Sequence, residues 1–277
     1  MKDGSASVLN PTTSRERIEM IDALRGFALT GVCLGNLALF SFYFCLSDEQ
    51  KADLPFPVIN TIISYVVYFF VDWKFWTLFS IMFGFGASIF ISRANELHKN
   101  GKALYARRLL LLLIFGIIHG IFFWFGDILS EYALAGFLLL LLSNKKGMSL
   151  AVWGIILGAF IPMVLRILQV VLLPNTPEAF EKLGTQTMDA YSSSSFIKVI
   201  NVNLVNIKIY SFYVWFLLIA ALGRFMIGYW IGQTGRMYHI ENYADFFRKA
   251  MRICSWIGFP VMFILTLARI LTDTEVL

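Results

Sequence analysis

Residues 21–36 read IDALRGFALTGVCLGN, an apolar helical stretch interrupted by Asp22, Arg25 and Asn36. Arg25 and Asn36 are eleven residues apart, close to three helical turns, so they share one stripe about 16 Å long, and Asp22 lies on it too. A charge at the bilayer centre costs roughly 2.5 to 3.5 kcal/mol even on insertion scales. A spanning helix must therefore turn this stripe toward protein or a water-filled cavity. The stripe is a candidate wall of a site.

Composition around that helix points the same way. Apolar residues make up 58% of the 277 and charged residues 15%, with a mean hydropathy of +0.71, all outside the range of a soluble domain. The expected fold is all-α, a polytopic transmembrane helix bundle. The first apolar segment follows a polar stretch, residues 1–20, and lacks a short apolar region with a small-residue cleavage site. It reads as a retained anchor and not as a signal peptide. The net charge is +5, but the basic residues fall in short clusters between apolar segments, which argues for membrane topology and against nucleic acid. Cys33, Cys45 and Cys254 are odd in number and form no C-x-x-C, so neither a metal site nor a disulfide framework follows.

Loop charge sets the expected course of the chain. Residues 1–20 carry Lys2, Arg15 and Arg17 and form a cytoplasmic tail, while SDEQKAD after the first helix is acidic. The loop holding Arg93, Lys99, Lys102, Arg107 and Arg108 belongs inside, so 75–92 crosses and 56–71 is a Tyr- and Phe-rich helix at the outer interface. Segments 109–125, 129–142, 148–173, 210–231 and 253–271 then alternate, with Lys145 and Lys146 inside and the acidic end at Asp273 and Glu275 outside. Residues 174–205 form an extracytoplasmic loop and 232–252 a cytoplasmic linker. Residues 21–277 thus make one transmembrane domain of about seven spans plus an interfacial helix. Small-residue pairs recur, among them Gly31 with Gly35, Gly116 with Gly120, Gly154 with Gly158 and Gly228 with Gly232, and they let helices approach closely.

His119, in FGIIHGIFFWFGD, is the one histidine in an expected span and is read near mid-membrane. Arg108 precedes it by eleven residues, which repeats the Arg25–Asn36 geometry on a second helix. Two such helices facing each other would line one channel. The plainer alternative is a histidine that hydrogen-bonds a neighbouring helix. Asp127 follows the Gly126 turn and could aim back at His119, whereas Glu131 reads more simply as a helix cap. Arg224 is expected in the inner half of its span, where snorkelling to the surface competes with binding. His98 and His239 fall in basic loops and read as solvated.

On these residues the chain resembles a known family. DALRGFAL followed by Asn36, then KFWTLFSIMFGFG, RRLLLLLIFGIIHG, GDIL and LGRFMIGYWIGQTG are together similar to the YeiB-like bacterial membrane proteins. Their relatives include the lysosomal heparan-α-glucosaminide N-acetyltransferase and the membrane O-acyltransferases of bacterial surface sugars. The resemblance implies transfer of an acyl group, such as acetyl, from cytoplasmic acyl-CoA to an extracytoplasmic acceptor such as a glycan. It also implies the bacterial cytoplasmic membrane, and further helices beyond the last motif. Asn36 stands where the sugar acyltransferases usually carry a histidine, and no histidine lies between Asn36 and Phe56, where the lysosomal enzyme has one. The resemblance therefore passes that role to His119.

As an enzyme, the chain would use Arg25 and Arg108, with Arg224 as a further cation, to hold the phosphates of acyl-CoA. Asn36 would polarise the thioester, His119 would accept the proton, and Asp127 would orient the imidazole. As a proton-coupled transporter of small solutes, the same groups would form a path with His119 titrating. As a structural or regulatory membrane protein, they would fix helix register. Membrane lipid is a partner under every reading, and homo-oligomerisation stays open.

Overall fold

The computed structural model describes residues 19–43, 46–145, 147–172, 177–238 and 240–274. The expected tail therefore lies almost wholly outside the described residues, as do Cys45, Lys146, His239 and Glu275. Every described element is helical. The order is α1 (Glu19–Phe40), α2 (Asp48–Ala52), α3 (Pro57–Phe70), α4 (Lys74–Glu96), α5 (Gly101–Phe122) and α6 (Leu129–Leu142). Then come α7 (Met148–Ile155), a π-helical turn (Ile156–Phe160), α8 (Ile161–Leu172), α9 (Pro177–Ser192), α10 (Phe196–Ile209) and α11 (Ser211–Thr234). Two 3₁₀ turns, Arg236–Tyr238 and Ile240–Tyr243, lead into α12 (Ala244–Thr274).

Among the described residues, five helical stretches are long and apolar enough to cross a bilayer: Pro57–Glu96, Gly101–Phe122, Met148–Leu165, Val214–Thr234 and Glu241–Leu271. Seven were expected. Of the other two, α6 has 14 residues, about 21 Å of axis against a hydrocarbon core near 30 Å. The second is α1, which carries Asp22, Arg25 and Asn36. The expected linker 232–252 is not a separate helix, because its second half forms the first turns of the 31-residue α12.

Local chemistry sets the breaks. Ser47 and Gln50 close a capping box on α2. Trp73, at φ 66°, separates α3 from α4. Asn100 caps α5 by accepting from the Ala103 amide at 3.1 Å, and Gly101 has no room for a Cβ beside the Ile91 carbonyl, which fixes the α4–α5 hairpin.

At the centre, α11 lies against α4 on one side and against α7 and the π-helical turn on the other. The α4–α11 seam is backbone on backbone. A Cβ on Gly84 would overlap Phe225 backbone, and one on Gly228 would overlap the Ile81 carbonyl. Gly223 and Gly158 meet in the same way across the other face. Around this seam Phe85, Leu109, Leu139 and Phe225 are almost completely buried. Phe83 stacks on Phe225 at 4.6 Å. α1 packs on α4, α5 on α4 and α6, and the α9–α10 hairpin on the end of α5. The bundle thus has a basic end, where α4 turns into α5, and a far end, where α5 turns into α6.

Candidate functional site

His119 sits in the last turn of α5 and not at its middle. Its Nδ1 lies 3.0 Å from Asp127 Oδ1. The same carboxylate accepts from the Leu129 amide (3.2 Å), the Ser130 amide (2.8 Å) and the Ser130 hydroxyl (2.6 Å). Asp127 therefore satisfies the first free amides of α6 and the imidazole with one side chain. Glu131, read from sequence as the cap, donates nothing to that role: it is 7% exposed and one turn further along the Asp127 face.

Glycine makes this contact possible. A Cβ at Gly116 would strike the Ser130 amide and approach Asp127 Oδ2 to 2.7 Å, and one at Gly120 would touch Asp127 Cβ at 3.4 Å. The pair that sequence reasoning treated as general helix packing is the seat of a polar turn. With Nδ1–H donated to the carboxylate, the lone pair of the neutral ring is on Nε2. The His119 side chain is 42% exposed while that of Asp127 is 5% exposed, and no described residue bonds to Nε2. The arrangement is an oriented imidazole with its basic nitrogen open, able to take a proton from a bound group.

Two further helices frame it. Asn203 and Asn206 of α10 are completely buried. Asn203 Nδ2 donates to the Ile121 carbonyl at 3.0 Å, and the single Tyr191 hydroxyl proton is shared between Asn203 Oδ1 at 2.6 Å and the Phe123 carbonyl at 3.0 Å. These donors reach carbonyls that the end of α5 leaves free. Burial pushes the Tyr191 hydroxyl above its ordinary range, offset in part by Asn203, so it remains a donor. Phe40, the last residue of α1, and Phe42 just beyond it pack on Trp124 at 4.7 and 5.6 Å. The Asn203–Asn206 spacing in NVNLVNIK, one helical face carrying two amides, is the signal that the sequence reading passed over.

Arg25 meets α4 near its middle and Arg108 meets it one turn nearer the basic end, on the same face. A Cβ on Gly86 would lie 2.9 Å from Arg25 Nη2, and the Arg108 guanidinium is 4.7 Å from the centre of the Phe90 ring. Gly86 and Phe90 are one turn apart, about 6 Å along the axis. Arg25 is also 3.5 Å from Asp22. Asn36 is exposed, and no described residue bonds to it; the structure does not bring it to His119. Arg224 is also placed apart. It stacks on Trp76 in the first turn of α4, its guanidinium 4.1 Å from the ring centre. Helical side chains lean toward their own N-terminus, so this one runs away from the basic end, which leaves the snorkelling alternative aside.

No family model matches the chain, and no solved structure matches it. It is 39% identical over 153 residues to the uncharacterised protein YxaH of Bacillus subtilis (strain 168), across 54% of the chain and 38% of that protein. It is 33% identical over 201 residues to an uncharacterised 39.9 kDa protein from the amylase 3′ region of Bacillus acidopullulyticus, across 70% of the chain and 56% of that protein. It is 33% identical over 132 residues to the uncharacterised protein YeiB of Escherichia coli (strain K12), across 44% of the chain and 30% of that protein. The chain spans less than two thirds of the length of each of these curated relatives. These similarities support a YeiB-like family for the chain.

Proposed function

We propose that the chain is a membrane-embedded acyltransferase that moves an acyl group from acyl-CoA on the cytoplasmic side to a hydroxyl or amine on the other. The basic end faces the cytoplasm and the His119–Asp127 end faces out, with α1, α4, α5, α6, α7–α8, α11 and α12 as seven spans. The clustering of Arg93, Lys99, Lys102, Arg107, Arg108 and Lys145 at one end supports that orientation. The observation that carries the reading is the His119–Asp127 pair, whose second ring nitrogen is open. Arg25 and Arg108, converging on one face of α4, suit the phosphates of the donor. His119 lies eleven residues beyond Arg108, about 16 Å of axis for the pantetheine arm to follow.

In this mechanism His119 Nε2 removes the proton of the acceptor, whose oxygen or nitrogen attacks the thioester carbonyl. The C–S bond breaks, the new C–O or C–N bond forms, and the proton passes from His119 to the departing thiolate. Asn36 would meet the thioester oxygen only if the donor draws α1 toward α5.

A proton-coupled transporter is the second reading, and the buried Glu131 favours it, because a carboxyl on the Asp127 face extends the titratable groups into the bundle. One experiment separates the two. Purified protein should bind acyl-CoA and transfer its acyl group. His119→Gln should still bind and lose transfer by about 10² to 10⁴. Arg25→Lys and Arg108→Lys keep charge but lose the guanidinium fork, and should each weaken binding several-fold. Absence of acyl-CoA binding would sink the enzyme reading, and normal transfer by His119→Gln would remove His119 as the base.

A further inference from the structure

Arg224 takes part in neither end of the site just described. Its Nε and Nη1 are closed to solvent without a hydrogen-bond partner among the described residues, and Trp76 Nε1 is in the same state. Ion pairs among the described residues join Arg25 to Asp22, His119 to Asp127 and Arg248 to Asp245, and none of them reaches Arg224. The hydroxyls of Ser80 and Tyr132 lie 2.6 Å apart and Ser80 donates to the Trp76 carbonyl at 2.7 Å, and neither hydroxyl accepts from Arg224 Nε or Nη1. The indole face supplies a cation–π contact, but such a contact leaves the N–H edge of the guanidinium unsatisfied. Two guanidinium nitrogens and an indole N–H thus lie inside an apolar bundle with no bonded acceptor among the described residues, which is unfavourable unless an acceptor is supplied.

The surrounding backbone is shaped at the same place. The π-helical turn sets Gly158 against Gly223 and the Arg224 backbone, where a Cβ would come within 3.0 Å of the Arg224 amide nitrogen and 3.3 Å of its Cγ. Single π-helical turns inside α-helices are frequent beside functional sites.

We propose that Arg224 and Trp76 form a binding site for an oxyanion, a carboxylate or phosphate group, separate from the Arg25–Arg108 end and independent of whether the chain transfers acyl groups. The charge of the ligand neutralises the guanidinium and its oxygens accept from Arg224 and Trp76 Nε1. Two sources carry that chemistry, the phosphate of an anionic lipid and a free solute.

The test is thermal unfolding of the purified chain in detergent with chloride, inorganic phosphate or acetate at matched ionic strength, and with phosphatidylglycerol. At a hundredfold excess over Kd the midpoint should rise by about 5 °C. A rise with phosphate or acetate assigns the site to solutes, and a rise with phosphatidylglycerol alone assigns it to lipid. Arg224→Met should lose the rise while its ligand-free midpoint goes up, because it removes an unpaired buried charge. Trp76→Phe keeps the aromatic face and loses only Nε1–H, so it should weaken binding about tenfold. The proposal is overturned if no anion raises the native midpoint or if Arg224→Met keeps the full rise. Should Arg224→Met not fold, unchanged binding by Trp76→Phe overturns it alone.

Discussion

The α4–α11 seam and the α5–α6 turn both depend on glycines at helical spacing, and the two regions use them differently. Along the seam, Gly84 and Gly228 bring main chain onto main chain, with no space at all for a side chain. At the turn, Gly116 and Gly120 lower one wall of α5 so that a carboxylate can lie beside His119. The first arrangement holds the bundle together through dispersion and close packing, which tolerate no intrusion. The second positions a polar pair, so a small displacement there changes chemistry before it changes stability. Close spacing of small residues therefore marks a near approach but leaves open what approaches.

That contrast can be broken by substitution. Gly228→Leu should have the largest effect and leave no folded, monodisperse protein on size exclusion, since the side chain has only the Ile81 and Phe85 backbone to enter. Asp127→Asn comes next. It keeps the shape of the cap but can donate to His119, letting the ring turn its proton toward Nε2, so the proposed acyl transfer should fall by at least about 10² while helix content stays native. Gly116→Ala should lower transfer about tenfold with about 1 to 3 kcal/mol of destabilisation, because the new methyl displaces the Ser130 amide and the carboxylate together. Gly120→Ala is the mildest, its methyl meeting Asp127 Cβ near ordinary contact distance, and should change stability by under about 1 kcal/mol. If Gly116→Ala unfolds the protein as Gly228→Leu does, the two regions are one packing core and the distinction fails.

The long apolar runs were legible in sequence, because the hydropathy of a segment needs no knowledge of its neighbours in space. The His119–Asp127 pairing was legible too, through the short Gly126 turn. Other features were hidden by their partners. Asn203 and Tyr191 bond to the carbonyls of Ile121 and Phe123, and a main-chain acceptor leaves no mark in sequence, so the packing of α9 and α10 within the expected loop 174–205 was not legible. The choice between Asp127 and Glu131 as cap turns on a difference of one helical turn, finer than propensity can resolve. The direction taken by Arg224 depended on Trp76 of another helix. Asn36 remained exposed although its stripe called for a polar partner.

The π-helical turn gives the chain an uneven tolerance to changes in length. The Ile161 amide bonds to the Ile156 carbonyl, five residues back, so this turn holds one residue more than α-helical register needs. Removing one residue within 156–160 would return the segment to an ordinary helix and leave the faces before and after it aligned. The same deletion in the middle of α4 would swing every later side chain by about 100° and pull Gly84 out of its seam. A one-residue deletion that keeps Gly158 should accordingly be accepted at this turn and rejected along α4.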